Sequence, residues 1–175
     1  MKLKSFLRSF IFLIPLILVF SKAIAEPTFV QSKLIDNAFY LGLNFNNDGT
    51  KMYTVTANAD DAVIEHILTT PYDISTATVN NTKVVHVSGG NDSHIPTQVV
   101  FNNDGTKMFI VNHFGRRTVD YWSLTTAFDV STASFDGAYS LTGKEQRANS
   151  IAFNNDGTRM FIAGIGNLSQ VRIHE

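Results

Sequence analysis

Asp92, His94 and His113 are the side chains of this sequence best suited to metal chemistry, because imidazole nitrogen and carboxylate oxygen are donors that zinc accepts. They stand at no fixed short ligand spacing, and no His-Glu-x-x-His helix accompanies them, so no metal is expected there. A second acidic constellation is Asn46-Asn47-Asp48-Gly49-Thr50. Counted from Asn44, it imitates the start of a calcium-binding loop, but the twelfth position, where a bidentate glutamate is needed, is Val55. The stretch reads instead as a turn, in which Asn and Asp side chains fold back onto nearby backbone N–H groups and glycine takes a positive φ. No G-x-S-x-G elbow is present for a nucleophilic serine. Gly164-Ile165-Gly166-Asn167-Leu168-Ser169 misses the last glycine of a dinucleotide fingerprint. The expectation is no catalytic residue, no metal and no cofactor.

The turn recurs, and this decides how its residues are read. Phe45–Tyr53 comes back as Phe101–Phe109 and, with Arg159 in place of lysine, as Phe153–Phe161. The spacings are 56 (101 − 45) and 52 (153 − 101). Val63–Ala77 matches Val119–Ala133 at the same offset of 56, and the third copy reaches Val171–Glu175. A residue needed once for chemistry has no reason to appear in every unit, whereas a turn residue does. Asp73 and Asp129, each two positions before a serine, are therefore expected to cap tight turns.

Val, Ile, Thr and aromatic runs flank each turn, as strands require. The expected strands are 40–45, 51–57, 62–68 and 78–87 in the first unit, then 96–101, 107–113, 117–124 and 134–141 in the second. The third supplies 148–153, 159–164 and 170–174. Lys107–Asn112 is apolar on both faces, so both should be buried, as between stacked sheets. Units near 50 residues with four antiparallel strands each are the pattern of a β-propeller with one unit per blade. The fold class is all-β, with about three blades.

The run Phe-Asn-Asn-Asp-Gly-Thr-Lys-Met-Phe-Ile-Val, followed by Val-x-x-(Trp/His)-x-Leu-Thr-Thr-x-(Tyr/Phe)-Asp-(Ile/Val)-Ser-Thr-Ala, resembles the bacterial and phage β-propeller repeats related to WD40-like, TolB-type blades. The resemblance covers nearly all of 28–175. It departs in Asn47, Asn103 and Asn155, where such blades usually carry proline, and in lacking the Trp-Asp pair of WD40 blades. It implies the fold. The family includes scaffolds, sugar-binding modules and hydrolases, so it implies no single activity.

Residues 28–36 align with 78–85 and with 134–141, which reads as a fourth, outer strand without its own blade, while the third unit has no such strand. Three blades fall short of the four to eight that close a propeller. Either the chain is a piece of a longer propeller, or copies assemble into a homo-oligomer that completes the ring and exchanges the 28–36 strand.

Residues that do not repeat are the better binding candidates, because they lie on loops held by a repeated scaffold. The loops joining second to third and fourth to first strands share one face of such a disc. They carry Asp60 and Asp61, then Asn91, Asp92 and His94, then His113, Arg116 and Arg117, then Glu145, Gln146 and Arg147. The candidate binding residues are Asp60, Asp61, Asp92, His94, His113, Arg116, Arg117 and Arg147. His66, Trp122 and His174 occupy equivalent strand positions, which points to packing between blades.

Residues 1–25 read as a secretory signal peptide: Lys2, Lys4 and Arg8, then the apolar run Phe10–Phe20, then Ala23-Ile24-Ala25. That run of 11 residues is too short to span a bilayer. Removal takes four of the 14 basic residues and none of the 15 acidic ones, leaving 10 basic against 15 acidic in 26–175, a net charge of −5. Nucleic acid is not an expected partner of such a domain. The expected product is a periplasmic or secreted binding scaffold for a protein or glycan, without a stable membrane span. The alternatives are a propeller hydrolase or lactonase and a structural envelope or virion component.

Overall fold

Each Asn-Asn-Asp-Gly-Thr stretch turns the chain back on itself, and the β-branched and aromatic runs on either side pair as strands. The computed structural model describes residues 29–35, 39–57, 61–85, 95–166 and 171–174. The first sheet runs β1 (Tyr40–Phe45), β2 (Lys51–Thr56), β3 (Ala62–Leu68) and β4 (Ala77–Val84) in that spatial order. The second runs β5 (Pro96–Phe101), β6 (Lys107–Asn112), β7 (Thr118–Leu124) and β8 (Ala133–Ser140). The third contains β9 (Ala148–Phe153), β10 (Met160–Ile165) and β11 (Val171–His174). Every pairing is antiparallel. The protein is an all-β, propeller-type stack of four-strand meanders, the third showing three strands among the described residues. The proposed signal peptide, 1–25, lies outside the described residues. No helix among the described residues is long and apolar enough to cross a membrane.

Residues 31–175 form one contact unit, and within it the blades are joined by apolar seams. Tyr53, Val55, Val63 and Val85 of the first blade pack against Val99, Met108, Ile110, Trp122 and Leu124 of the second. Val111, Val119 and Leu141 pack in turn against Ala148, Ile151 and Ile162 of the third. Strand β6 serves both seams: Met108 and Ile110 face back and Val111 faces forward, so both its faces are buried. Each such side chain removed from water contributes about 1.5–3 kcal/mol. Val99 and Ile151, at 0% and 3% exposure, sit where the first blade has Leu43, at 55%, because no preceding blade covers that face among the described residues.

Polar contacts repeat across the seams. Asn47 Nδ2 donates to the Asn103 carbonyl (2.6 Å), and Asn103 Nδ2 donates to the Asn155 carbonyl (3.2 Å). Asparagine in place of proline thus supplies a donor from each hairpin turn to the next. Glu65, fully buried, accepts from Lys51 Nζ at 3.0 Å and Asn80 Nδ2 at 2.7 Å, and its other oxygen caps the next blade by accepting from the Val130 N–H at 3.0 Å.

Residues 31–35 form no strand, and β11 has no outer neighbour among the described residues. The segment lies instead beside the first blade. Gln31 Nε2 donates to Asp73 Oδ1 (2.7 Å), Lys33 Nζ donates to the Ser75 carbonyl (3.0 Å), and Ile35 packs on Met52, Leu68 and Ala77. These positions correspond to Asn81, Lys83 and Val85, where Asn81 Nδ2 donates to Asp129 and Val85 enters the first seam. The segment therefore docks on the first blade as β4 docks on the second, because the turn at Asp73 presents the same acceptor as the turn at Asp129.

Each hairpin turn of the first two blades is also tied to the outer turn of its own sheet. Tyr72 (φ 60°) and Phe128 (φ 59°) adopt left-handed backbone and lay their rings on Gly49 (φ 72°) and Gly105 (φ 72°). A Cβ at either glycine would overlap the ring, whereas one at Gly157 (φ 70°) meets none of the described residues within 4 Å. Gly157→Ala should therefore cost only the left-handed backbone term, about 1–2 kcal/mol. Gly105→Ala should add displacement of Phe128, about 3 kcal/mol or more in total. Urea unfolding of the two variants checks this, and equal losses would be inconsistent with the ring seat.

Candidate functional site

The residues of the turns are committed to scaffold work. In all three hairpins the aspartate Oδ1 accepts from the Thr N–H and Thr Oγ1 two residues on: Asp48 with Thr50, Asp104 with Thr106, Asp156 with Thr158. The preceding asparagines close the loop from the other side, Asn46, Asn102 and Asn154 accepting from the N–H groups of Lys51, Lys107 and Arg159. Hydroxyl donation, followed by backbone donation, holds the three aspartates below the usual carboxylate value. Asp73 and Asp129 accept from the N–H and hydroxyl of Ser75 and Ser131, capping the short 3-10 turns Ile74–Thr76 and Val130–Thr132. Asp73 is lowered first by its bond from Gln31 and then by Ser75. Burial pushes the Tyr53 phenol well up, with the charge of Glu65 adding to it, so it remains a neutral donor to the Phe128 carbonyl (2.7 Å). Among the described residues no group of three acidic or histidine side chains converges on a metal position.

The other end of the strands carries the residues that do not repeat. Asp60, Asp92 and His94 lie outside the described residues. Asp61 and Arg117 occupy the same place in successive blades, both left-handed (φ 35° and 50°), and their carbonyls accept from Val85 N and Leu141 N at 2.8 Å each. Asp61 is buried and Arg117 exposed. Both thus start the third strand of their sheet, and the side chain alone differs.

Two of the candidates, His113 and Arg147, are brought together over the seam between the second and third blades. His113 Nδ1 lies 3.1 Å from the Ala148 carbonyl. A carbonyl only accepts, so Nδ1 carries a proton, and in the neutral ring Nε2 is the nitrogen with the lone pair. The His113 ring meets Phe114 edge-on at 4.3 Å, and the Arg147 guanidinium lies 4.9 Å from the Phe114 ring centre. Buried Glu145 holds the approach to this strand by accepting from the Arg147 N–H at 3.0 Å. Gly164 makes the room: a Cβ there would overlap the Glu145 side chain and the Arg147 carbonyl. Arg116 packs its guanidinium 6.0 Å from the Phe135 ring, and its Nη1 is buried without a hydrogen-bond partner.

Phe114 was not among the residues singled out from sequence. Its signal was available: the equivalent position of the first unit is Asn58, so it is a non-repeated aromatic in a varying loop. The result is a group of one arginine, one histidine and one aromatic ring, Arg147, His113 and Phe114, of which the ring is exposed; Arg116 packs apart from it on Phe135. Arginine offers a rigid fork of donors for carboxylate, and an aromatic face restrains it. The inner strands β1, β5 and β9 contain no Asp, Glu or His. Among the described residues, therefore, no acid or base projects from the innermost strands.

No protein-family model matches the sequence, and no curated protein matches it. Solved structures do resemble it. A periplasmic gluconolactonase of Pseudomonas aeruginosa superposes with a TM-score of 0.58 at 17% identity, covering 75% of this chain and 34% of that one. A putative 6-phosphogluconolactonase of Bacteroides uniformis gives 0.57 at 12% identity, covering 78% and 36%. The Cps50 (Swd1) β-propeller domain of Myceliophteria thermophila gives 0.52 at 12% identity, covering 79% and 40%. The fold is thus of propeller type, and the chain spans little more than a third of the length of these proteins.

The depressed turn aspartates contribute to the acid behaviour. Their folded values lie below the unfolded value of 3.8, so their contribution is fully present above about pH 4 and is lost as the pH falls through the folded values. Thr106→Val keeps the backbone donor and removes the hydroxyl. Carboxyl-carbon titration should show Asp104 rising towards 3.8 in that variant, with Asp48 and Asp156 unmoved. An unchanged Asp104 would contradict the assignment.

Proposed function

We propose that the protein is an exported binding scaffold whose loop face takes an anionic glycan through Arg147. The observation that carries this reading is the Arg147 guanidinium set against the half-exposed Phe114 ring, beside His113, on loops that differ from blade to blade while the turns at the other end repeat. A stacked guanidinium keeps its outer N–H groups free for bidentate bonds to a carboxylate or sulfate, and little side-chain entropy remains to be lost on binding. Export rests on the pattern of residues 1–25, and the periplasmic location named for the Pseudomonas aeruginosa neighbour is consistent with it.

A second reading, lactone hydrolysis, is favoured by the gluconolactonase names of two structural neighbours. It would require His113 Nε2 to act as base, since the inner strands supply none. Glucono-lactone incubated with the protein should open no faster than in buffer; an acceleration abolished by His113→Ala would favour hydrolysis instead.

The binding reading predicts that the protein captures uronate- or sulfate-bearing oligosaccharides on a glycan array and leaves neutral ones. Arg147→Ala should weaken capture about tenfold or more, the range for a charged hydrogen-bonding group, with no change in thermal unfolding. Equal capture of neutral glycans, or indifference to Arg147→Ala, would be incompatible with it.

A further inference from the structure

His113 is held from two sides and keeps one ring nitrogen in reserve. Its backbone N–H donates to the Ile95 carbonyl at 2.8 Å, within the second blade, and Nδ1 donates to the Ala148 carbonyl of the third at 3.1 Å. Nε2, on the far side of the ring, has no hydrogen-bond partner among the described residues and is not a buried atom, although the residue as a whole is half-buried. The Phe114 ring touches both His113, edge-on at 4.3 Å, and the Arg147 guanidinium, at 4.9 Å, so it keeps the two groups side by side. The charged groups around His113 are Arg147 at the start of β9, Arg116 and Arg117 on its own loop, and Lys144 and Glu145 on the loop before β9. Lys144 is bonded to the Tyr139 hydroxyl, and Glu145 Oε1 accepts from the Arg147 N–H. Among the described residues no carboxylate forms an ion pair with His113.

We propose that His113, protonated at Nε2, is the second anchor of the anion held by Arg147, that capture is therefore coupled to proton uptake, and that the ligand class is a sulfate ester. This rests on the binding reading above and deepens it. In the neutral ring Nε2 turns a lone pair towards the site, which an oxyanion avoids; in the cation it offers a donor and a positive charge. Histidine is the side chain whose ordinary titration falls between about pH 5 and 8. An anion at Arg147 favours the charged ring, and by linkage the charged ring favours the anion. The sign follows: affinity is flat above the range in which histidine titrates and rises as the pH falls through it. The ligand class follows from the count of oxygens. A guanidinium fork takes two oxygens of an oxyanion side by side. A planar carboxylate then has both its oxygens engaged, whereas a sulfate ester keeps a third terminal oxygen, out of the plane of the fork, for the Nε2–H.

The probes are glucose 6-sulfate and glucuronate, each titrated into the full chain and followed by NMR at about pH 8 and about pH 5.5, a window that spans the ordinary titration of histidine and leaves both ligands ionised. Glucose 6-sulfate should bind about threefold to tenfold more tightly at the lower pH, the range for one added charged hydrogen bond. Glucuronate should gain less. Calorimetry of the sulfate in two buffers of different ionisation enthalpy should show net proton uptake on binding. The decisive variant is His113→Asn. Its amide nitrogen stands where Nδ1 stands, so the bond to the Ala148 carbonyl and the fold are kept while Nε2 is removed. This variant should bind the sulfate at pH 8 as the unaltered protein does, with no gain at the lower pH and no proton uptake. Flat affinity for the sulfate between the two pH values, a gain retained in His113→Asn, or an equal gain for glucuronate each overturns the proposal while leaving the Arg147 reading in place. Binding of neither probe at either pH overturns both.

Discussion

An aromatic ring seated on a left-handed glycine is the contact on which each of the first two blades depends. The glycine is required twice over, once by its backbone angle and once by the absence of a Cβ where the ring lies. The ring residue is itself left-handed, an arrangement that costs energy for a side chain of that size and persists only where the surroundings hold it. Here the surroundings are the apolar floor of Phe45 or Phe101 and the backbone bond from Tyr72 or Phe128 to the glycine carbonyl, 2.9 Å in both blades. Hairpin and outer turn are thereby fixed to one another, and the four strands between them keep one register.

The seams then transmit that order from blade to blade. Apolar side chains supply most of the attraction, and a few polar groups set the alignment. Glu65 is the clearest: a fully buried carboxylate that receives a lysine and an asparagine from its own sheet and a backbone N–H from the next. A buried charge of this kind is tolerated because every oxygen is met, and losing a partner would leave it costly. The asparagine of each hairpin plays a lesser, repeated part by donating to the following turn.

Much of this was legible in the residues. Asp-Gly turns between β-branched runs placed β1, β3, β5 and β9 at the expected bounds and most others within a residue or two, because side-chain alternation and turn chemistry agree locally. The outer strand of the first blade, expected at 78–87, runs Ala77–Val84. The cap roles of Asp73 and Asp129, and Trp122 as a seam residue, followed from recurrence. Placement across the chain was not legible. Kinship of 31–35 with 81–85 identified a fourth-strand sequence but not the blade it would dock on, which the acceptor at Asp73 decides. The meeting of Phe114 with Arg147, 33 positions apart, depends on how two loops of different blades converge. A repeat pattern describes what blades share and is silent on the contacts that only one of them makes.

Division of labour between the two ends of the strands follows from the same facts. The turn end repeats because it folds the chain, and the loop end varies because its backbone is already held. The ring-on-glycine contact is the claim on which both statements rest, and proton NMR tests it most directly. An aromatic ring over a glycine shifts the α-protons strongly upfield. The α-protons of Gly49 and Gly105 should be shifted in this way and those of Gly157 should lie at ordinary positions. Ordinary positions for all three, or an equal upfield shift at Gly157, would contradict the account.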